Sequence, residues 1–262
     1  MNLRIGEVYL VSRSLLLCGL MAAGTVLHAQ APEPVELERR AYVRRISFGA
    51  SLTVPIFNLM KPGSFAYSRT TPPLDETIDG TTKYHWGGGG VMLQIAILER
   101  LAVNMNAFYR KAEYSYTQTD VAGVFDPNSL LDNRTVTTID GWTRIRYLDI
   151  PVLARYYTKD RHRKGSRWFF QGGPNTRTVR KILTTRATTD NIGDVSYNHS
   201  LQPAYKRTVL GVTAGFGAQF IDPLGVRVIP EVRYTRWLGL NFDVPAAHSR
   251  RDQIEFVFSL AF

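Results

Sequence analysis

Gln253–Phe262 reads QIEFVFSLAF. Ile254, Phe256, Phe258, Leu260 and Phe262 alternate with Gln253, Glu255, Ser259 and Ala261, a period of two that puts the first set on one face of a strand and the second on the other. The last residues of a soluble domain usually fray in polar surroundings, yet this stretch is among the most apolar in the chain. The expectation is a closing strand with one face against lipid.

Working back from it, seven more segments of about ten residues carry the same alternation, which is the signature of membrane-barrel strands. They are RISFGASLTV (Arg45–Val54), WGGGGVMLQIAIL (Trp86–Leu98), LAVNMNAFYR (Leu101–Arg110), RYLDIPVLARYY (Arg146–Tyr157), WFFQGGPNTRTV (Trp168–Val179), TVLGVTAGFGAQFI (Thr208–Ile221) and VRVIPEVRYTRW (Val226–Trp237). Thr208–Ile221 is the cleanest, setting Leu210, Val212, Ala214, Phe216, Ala218 and Phe220 against Gly211, Thr213, Gly215, Gly217 and Gln219. Trp168–Val179 is the poorest, because Pro174 and its glycines weaken a strand.

Connection lengths alternate. Long connections around 56–84, 117–141, 183–206 and 239–250 are separated by short ones at Glu99–Arg100, KDRHRKGSR (Lys159–Arg167) and DPLG (Asp222–Gly225). Long outward loops, short periplasmic turns and an even strand count are the plan of outer-membrane barrels. The fold class expected is therefore all-β, an eight-stranded antiparallel transmembrane β-barrel with long extracellular loops and short periplasmic turns. A soluble β-sandwich or lipocalin-like barrel also alternates, but it would bury the apolar face and expose the polar one.

A sheet spans hydrocarbon only when it closes on itself, since every backbone polar group must be paired within the protein. Eight strands leave an interior that side chains can fill. The inward set includes Arg110, Asp149, Arg155, Arg227, Glu231 and Arg233, expected to form a polar, ion-paired network in the lumen. On the lipid face each Arg near the midplane would cost about 2 to 4 kcal/mol. Small inward residues, Gly87, Gly89, Gly211, Gly215 and Gly217, are expected to permit close approach. Trp86, Tyr109, Trp142, Tyr156, Tyr157, Trp168, Tyr234 and Trp237 stand near segment ends and are expected to form interfacial girdles.

The chain has 262 residues, 44% of them hydrophobic, with one cysteine and a formal net charge of +10. That composition is not the signature of disorder. Arg4 and Arg13 precede the apolar run SLLLCGLMAAGTVLHAQ, a charged region and short apolar core laid out as a secretory signal peptide. Residues 1–29 are expected to be that peptide, with cleavage after Ala29, residues 30–44 a periplasmic lead-in and residues 45–262 the barrel. Cleavage removes Cys18, so no disulfide framework supports the exported chain. It also removes Arg4, Arg13 and Glu7, taking +10 to +9. An exported basic protein meets anionic headgroups or polysaccharide phosphates rather than nucleic acid.

YLDIPVLARYY (Tyr147–Tyr157) resembles the aromatic-Leu-acid-Ile-Pro motif of the bacterial outer-membrane β-barrel domain family that includes PorT-like proteins, and PEVRYTRW (Pro230–Trp237) is similar to the penultimate strand of small opacity-type barrels. Phe262, with Phe256, Phe258 and Leu260 before it, looks like the C-terminal signal read by the barrel-assembly machinery. The resemblance implies the bacterial outer membrane, export by the N-terminal signal peptide and that machinery as a partner during biogenesis.

Other motifs carry less. The glycines of Gly87–Gly90 and Gly215–Gly217 lack the Lys-Ser/Thr and helix that a phosphate loop needs. His85, His162, His199 and His248 stand singly, which supports no metal site, and no cofactor is expected. Asn198–Leu201, NHSL, places His199 beside Ser200, and adjacent strand residues face opposite ways. Lipid A-modifying catalysis is therefore set aside and the chain read as a non-enzyme. Lys159–Arg167 reads as a solvated basic turn, whereas Arg180, Lys181, Arg186, Lys206 and Arg207 are candidates to meet lipopolysaccharide phosphates. The expected protein is a monomeric barrel with a filled lumen, in a structural, binding or accessory role through its loops. Its partners are the lipid bilayer and lipopolysaccharide. A narrow passive channel and a secretion or translocation accessory are the alternatives.

Overall fold

Among the described residues, fourteen strands form in chain order: β1 Ile46–Pro55, β2 Met60–Pro62, β3 Ser64–Thr70, β4 Pro73–Lys83, β5 Gly88–Ala96, β6 Leu101–Ala122, β7 Thr135–Tyr157, β8 Arg167–Thr189, β9 Val195–Ser200, β10 Thr208–Ile221, β11 Arg227–Trp237, β12 Asp243–Val244, β13 Ala247–Ser249 and β14 Asp252–Ala261. The computed structural model describes residues 45–85, 87–123, 134–161, 165–190, 195–200, 204–222 and 225–262, without the side chains of His199 and Ser200. The expected signal peptide and lead-in, Trp86, and the NHSL side chains weighed for catalysis lie outside the described residues.

Eight antiparallel strands close into a ring, β1-β5-β6-β7-β8-β10-β11-β14. The seam is made by β14, which pairs Phe258 with Leu52 of β1 on one side and with Pro230 of β11 on the other. The ring has no free edge among its eight members, which is what hydrocarbon demands. Each of the eight alternating segments read from the sequence supplies one ring strand. Even Trp168–Val179 does so, with Pro174 exposed on the outward face of β8.

The alternation is that of a membrane barrel. On β1, Ile46, Phe48 and Leu52 are exposed while Ser47, Ser51 and Thr53 are each only 1% exposed. On β10, Leu210, Val212, Phe216 and Phe220 face out while Thr213 and Gln219 are buried; Ala218, expected on the outward face, is buried as well. Tyr109, Trp142, Tyr156, Trp168 and Tyr234 are exposed aromatics. Two expected girdle residues are instead interior: Tyr157 is 2% exposed and Trp237 3%. The period of two explains both, since Tyr157 follows outward Tyr156 and Trp237 shares the parity of inward Arg233 and Thr235.

The long connections are not plain loops. β6, β7 and β8 run 22, 23 and 23 residues, about 75 Å of strand at roughly 3.3 Å per residue. A tilted strand needs only about 9–11 residues to cross a bilayer, so half of each stands clear of it. There the β3–β4 hairpin adds to β6, β9 adds to β8, and β12, β13 and β2 make a small separate sheet. Sequence alternation fades in these parts because both faces of an arm end such as TQTD (Thr117–Asp120) are at least partly exposed, while Thr still favours strand.

Of the glycines expected to permit close approach, Gly87, Gly211, Gly215 and Gly217 do so. Gly87 has φ +76°, and a Cβ there would lie 1.6 Å from Thr53 O; at Gly217 it would lie 2.6 Å from the Phe169 ring. Gly89, expected inward, is exposed on the parity of outward Val91 and Leu93 and has room for a Cβ, its nearest neighbour being 3.8 Å away.

Candidate functional site

The ring's parity sends one residue in two from every strand into the lumen, and the inward positions carry six arginines and three carboxylates, all 3% exposed or less: Arg110, Arg155, Arg167, Arg177, Arg227 and Arg233, with Asp149, Glu231 and Glu255. Their contacts fall into tiers along the barrel axis.

In the tier nearer the long-strand end, Asp149 is the bridge. Arg177 donates to it through Nε (2.8 Å) and Nη2 (2.7 Å), and Arg110 Nε lies 2.9 Å from its Oδ2. Arg110 Nη2 reaches across to Glu255 at 2.5 Å, which also accepts from Thr53 and Gln253. Trp237 covers the Arg177 guanidinium at 4.2 Å and donates through Nε1 to Gln253. The acid of the LDIP motif thus sits between two cations from neighbouring strands.

In the middle tier Glu231 takes the same part. Arg155 Nη2 donates to it at 2.8 Å and Gln171 Nε2 at 2.7 Å, while Arg233 donates to its other oxygen. Arg155 also donates to the side-chain oxygens of Gln171 and Gln94, and lies 4.0 Å over the Phe169 ring. Arg233 donates to Asn106, which joins the Ser51–Ser259 pair at the seam. At the short-turn end Arg227 donates to Ser47, and Arg167 donates to Gln219 while lying 4.2 Å over Tyr157.

Two apolar clusters bracket this charged middle. Met92, Ala102, Tyr157, Phe169, Ile229 and Ala261 fill the short-turn end. At the other end the arms of β6, β7 and β8 pack Tyr114, Ile145, Tyr147 and Val179 against Met60 and Phe242 from the small sheet's side. Tyr147 meets Phe242 edge-on at 6.4 Å. This lid supports its own prediction. Phe242→Ala is expected to cost about 3 to 5 kcal/mol locally, opening the arms to limited proteolysis while the ring keeps its heat-modifiable gel shift; unchanged protease resistance would mean the cluster holds nothing shut.

Of the lumen residues named from sequence, Arg110, Asp149, Arg155, Glu231 and Arg233 thus lie in two tiers, and Arg227 bonds Ser47 at the short-turn end. Sequence reading missed Arg167, Arg177 and Glu255. Arg177 was legible by parity, but its strand was discounted for Pro174; Glu255 stood on the polar face of the closing segment without an assigned partner.

Residues 44–242 match the family described as outer membrane protein beta-barrel domain. The chain belongs to that family. This outer-membrane barrel is similar to solved structures of the same kind. OprG from Pseudomonas aeruginosa matches at 12% identity and a TM-score of 0.39, over 82% of this chain and 92% of that one. Ail, the attachment invasion locus protein of Yersinia pestis, matches at 9% and 0.33, over 83% and 96%. Neisserial surface protein A matches at 8% and 0.27, over the same shares. No curated protein sequence matches.

Proposed function

We propose that this outer-membrane barrel is closed to solutes and acts, without catalysis, through its long-strand end, in a structural, binding or accessory role. The observation that carries the reading is the lumen: two carboxylate-centred tiers, each linking several strands, between an apolar plug and an apolar lid. A narrow channel would need an open polar path, and here all three lumen carboxylates are taken up by lumen donors.

In the same reading the long-strand end faces outward and the short turns face the periplasm, as in barrels of this architecture. Residues 1–29 serve export and are cleaved, and residues 30–44 lead into β1. Phe256, Phe258, Leu260 and Phe262 form the outward stripe that the assembly machinery reads on β14.

The test is conductance across a planar bilayer with refolded protein. The wild type is expected to be silent, and Arg155→Ala/Glu231→Ala, which removes one charge of each sign from the middle tier, is expected to give small steps. Regular openings in the wild type would replace this reading with the channel.

A further inference from the structure

We propose that Lys111, Arg146, Arg180, Lys181 and Arg207 form a belt that binds the phosphate groups of lipopolysaccharide at the membrane rim. The inference rests on the outward orientation proposed above.

Strand register builds the belt. Lys111 of β6 lies directly across from Arg146 of β7, and Arg146 directly across from Lys181 of β8. The β7–β8 pairing then shifts, Tyr147 facing Val179, so Arg180 is an extra residue in β8. Such a bulge re-aims side chains; here Arg180 and Lys181 are both exposed, between buried Val179 and Ile182. The backbone bond from Val179 N to Arg207 O, 2.8 Å, brings exposed Arg207 alongside. Of the five, only Arg146 is partly covered.

Like charges directly opposite on neighbouring strands destabilise a sheet, so this row needs compensation from somewhere. Among the described residues no carboxylate forms an ion pair with any of the five. Other rim arginines have carboxylate partners. One step further out Arg144 bonds Glu113 at 2.5 Å, and across the barrel Arg236 bonds Asp252 at 2.6 Å. Among the described residues, the β6–β7–β8 quadrant thus carries a contiguous row of cations with no opposing carboxylate.

Its depth identifies the anion. Lys111 and Arg146 are the next outward residues after Tyr109 and Leu148, where the lipid-facing band of Met105, Ala107, Val152 and Ile150 ends. A phosphate on the belt therefore has apolar wall directly beneath it, suited to acyl chains, which a free phosphate would not use. Lys206 and Arg186, grouped with these residues in sequence, stand outside the belt: Lys206 lies near the Tyr205 ring at 5.9 Å, and Arg186 is opposite Gly141, five residues up β7 from Arg146.

The test is native mass spectrometry of the refolded barrel in detergent, titrated with bisphosphorylated lipid A, with the same lipid dephosphorylated and with inorganic phosphate. The wild type should retain the phosphorylated lipid about a hundredfold more tightly than the dephosphorylated one, and Lys111→Gln/Arg146→Gln/Lys181→Gln should lose most of that margin while keeping its gel shift. Equal retention of both lipids overturns the proposal, as does a folded triple variant that binds like the wild type, or displacement of the lipid by millimolar phosphate. If the triple variant does not fold, the wild-type comparison decides alone. Orientation is read separately by labelling Ser68→Cys on intact cells with an impermeant thiol reagent; no labelling would refute the outward reading without touching the lipid result.

Discussion

Asp149→Ala is expected to destabilise the barrel by about 3 to 5 kcal/mol, the cost of breaking a buried ion pair from one side. Asp149 is the acceptor for both Nε and Nη2 of Arg177 and lies 2.9 Å from Arg110. With the carboxylate gone, Arg110 keeps Glu255 and Arg177 keeps only the Gln253 side-chain oxygen among its hydrogen-bond acceptors. The inward set already holds six arginines against three carboxylates, so the loss raises an existing excess of positive charge in a space with little water to dilute it. Asp149→Asn should cost less, since one oxygen remains to accept from Arg177. Urea unfolding in detergent micelles, followed by the gel shift, measures both. A cost under about 1 kcal/mol for Asp149→Ala would put the tier in the class of solvated ion pairs, and a hydrated lumen would favour the channel over the closed barrel.

The fold was legible because lipid imposes a strict rule on the outward face. Wherever a strand crosses the bilayer, alternate residues must be apolar, and QIEFVFSLAF or TVLGVTAGFGAQFI displays that rule without help from neighbouring strands. The arms beyond the bilayer obey no such rule. Thr135–Gly141 and Leu183–Thr189 read as connections in sequence, yet they are strand because β6, β7 and β8 support one another there. The site was legible in part for a related reason. Parity says that Asp149 and Glu231 point inward, but which arginine each one meets depends on the stagger between strands. Arg110 and Arg177 reach Asp149 from opposite sides through pairings, Tyr109 with Leu148 and Asp149 with Arg177, that no single segment encodes. Trp237 and Tyr157 show the same limit from the other direction. Proximity to a strand end suggested the interface, while parity, applied one residue at a time, puts both rings inside against Arg177 and Arg167.

Phe258→Arg is expected to cost about 2 to 4 kcal/mol, the depth-dependent penalty for a cation at the bilayer midplane, whereas Phe262→Arg near the interface should cost about 0 to 1. Both side chains are exposed, at 44% and 53%, so a water-facing barrel would tolerate either change equally and gain solubility from both. The difference between the two positions is therefore a measurement of lipid at the surface, read from urea unfolding in bilayers of defined thickness. The pair also separates stability from assembly. If the stripe of Phe256, Phe258, Leu260 and Phe262 is read by the assembly machinery, Phe262→Arg should lower the amount of barrel reaching the outer membrane in cells while refolding normally in vitro. Phe258→Arg should fail in both settings, because β14 pairs with β1 and β11 at once and its centre is where ring closure and lipid burial coincide. Equal yields of Phe262→Arg and wild type in cells would remove the signal from the stripe and leave its apolar residues explained by lipid contact alone.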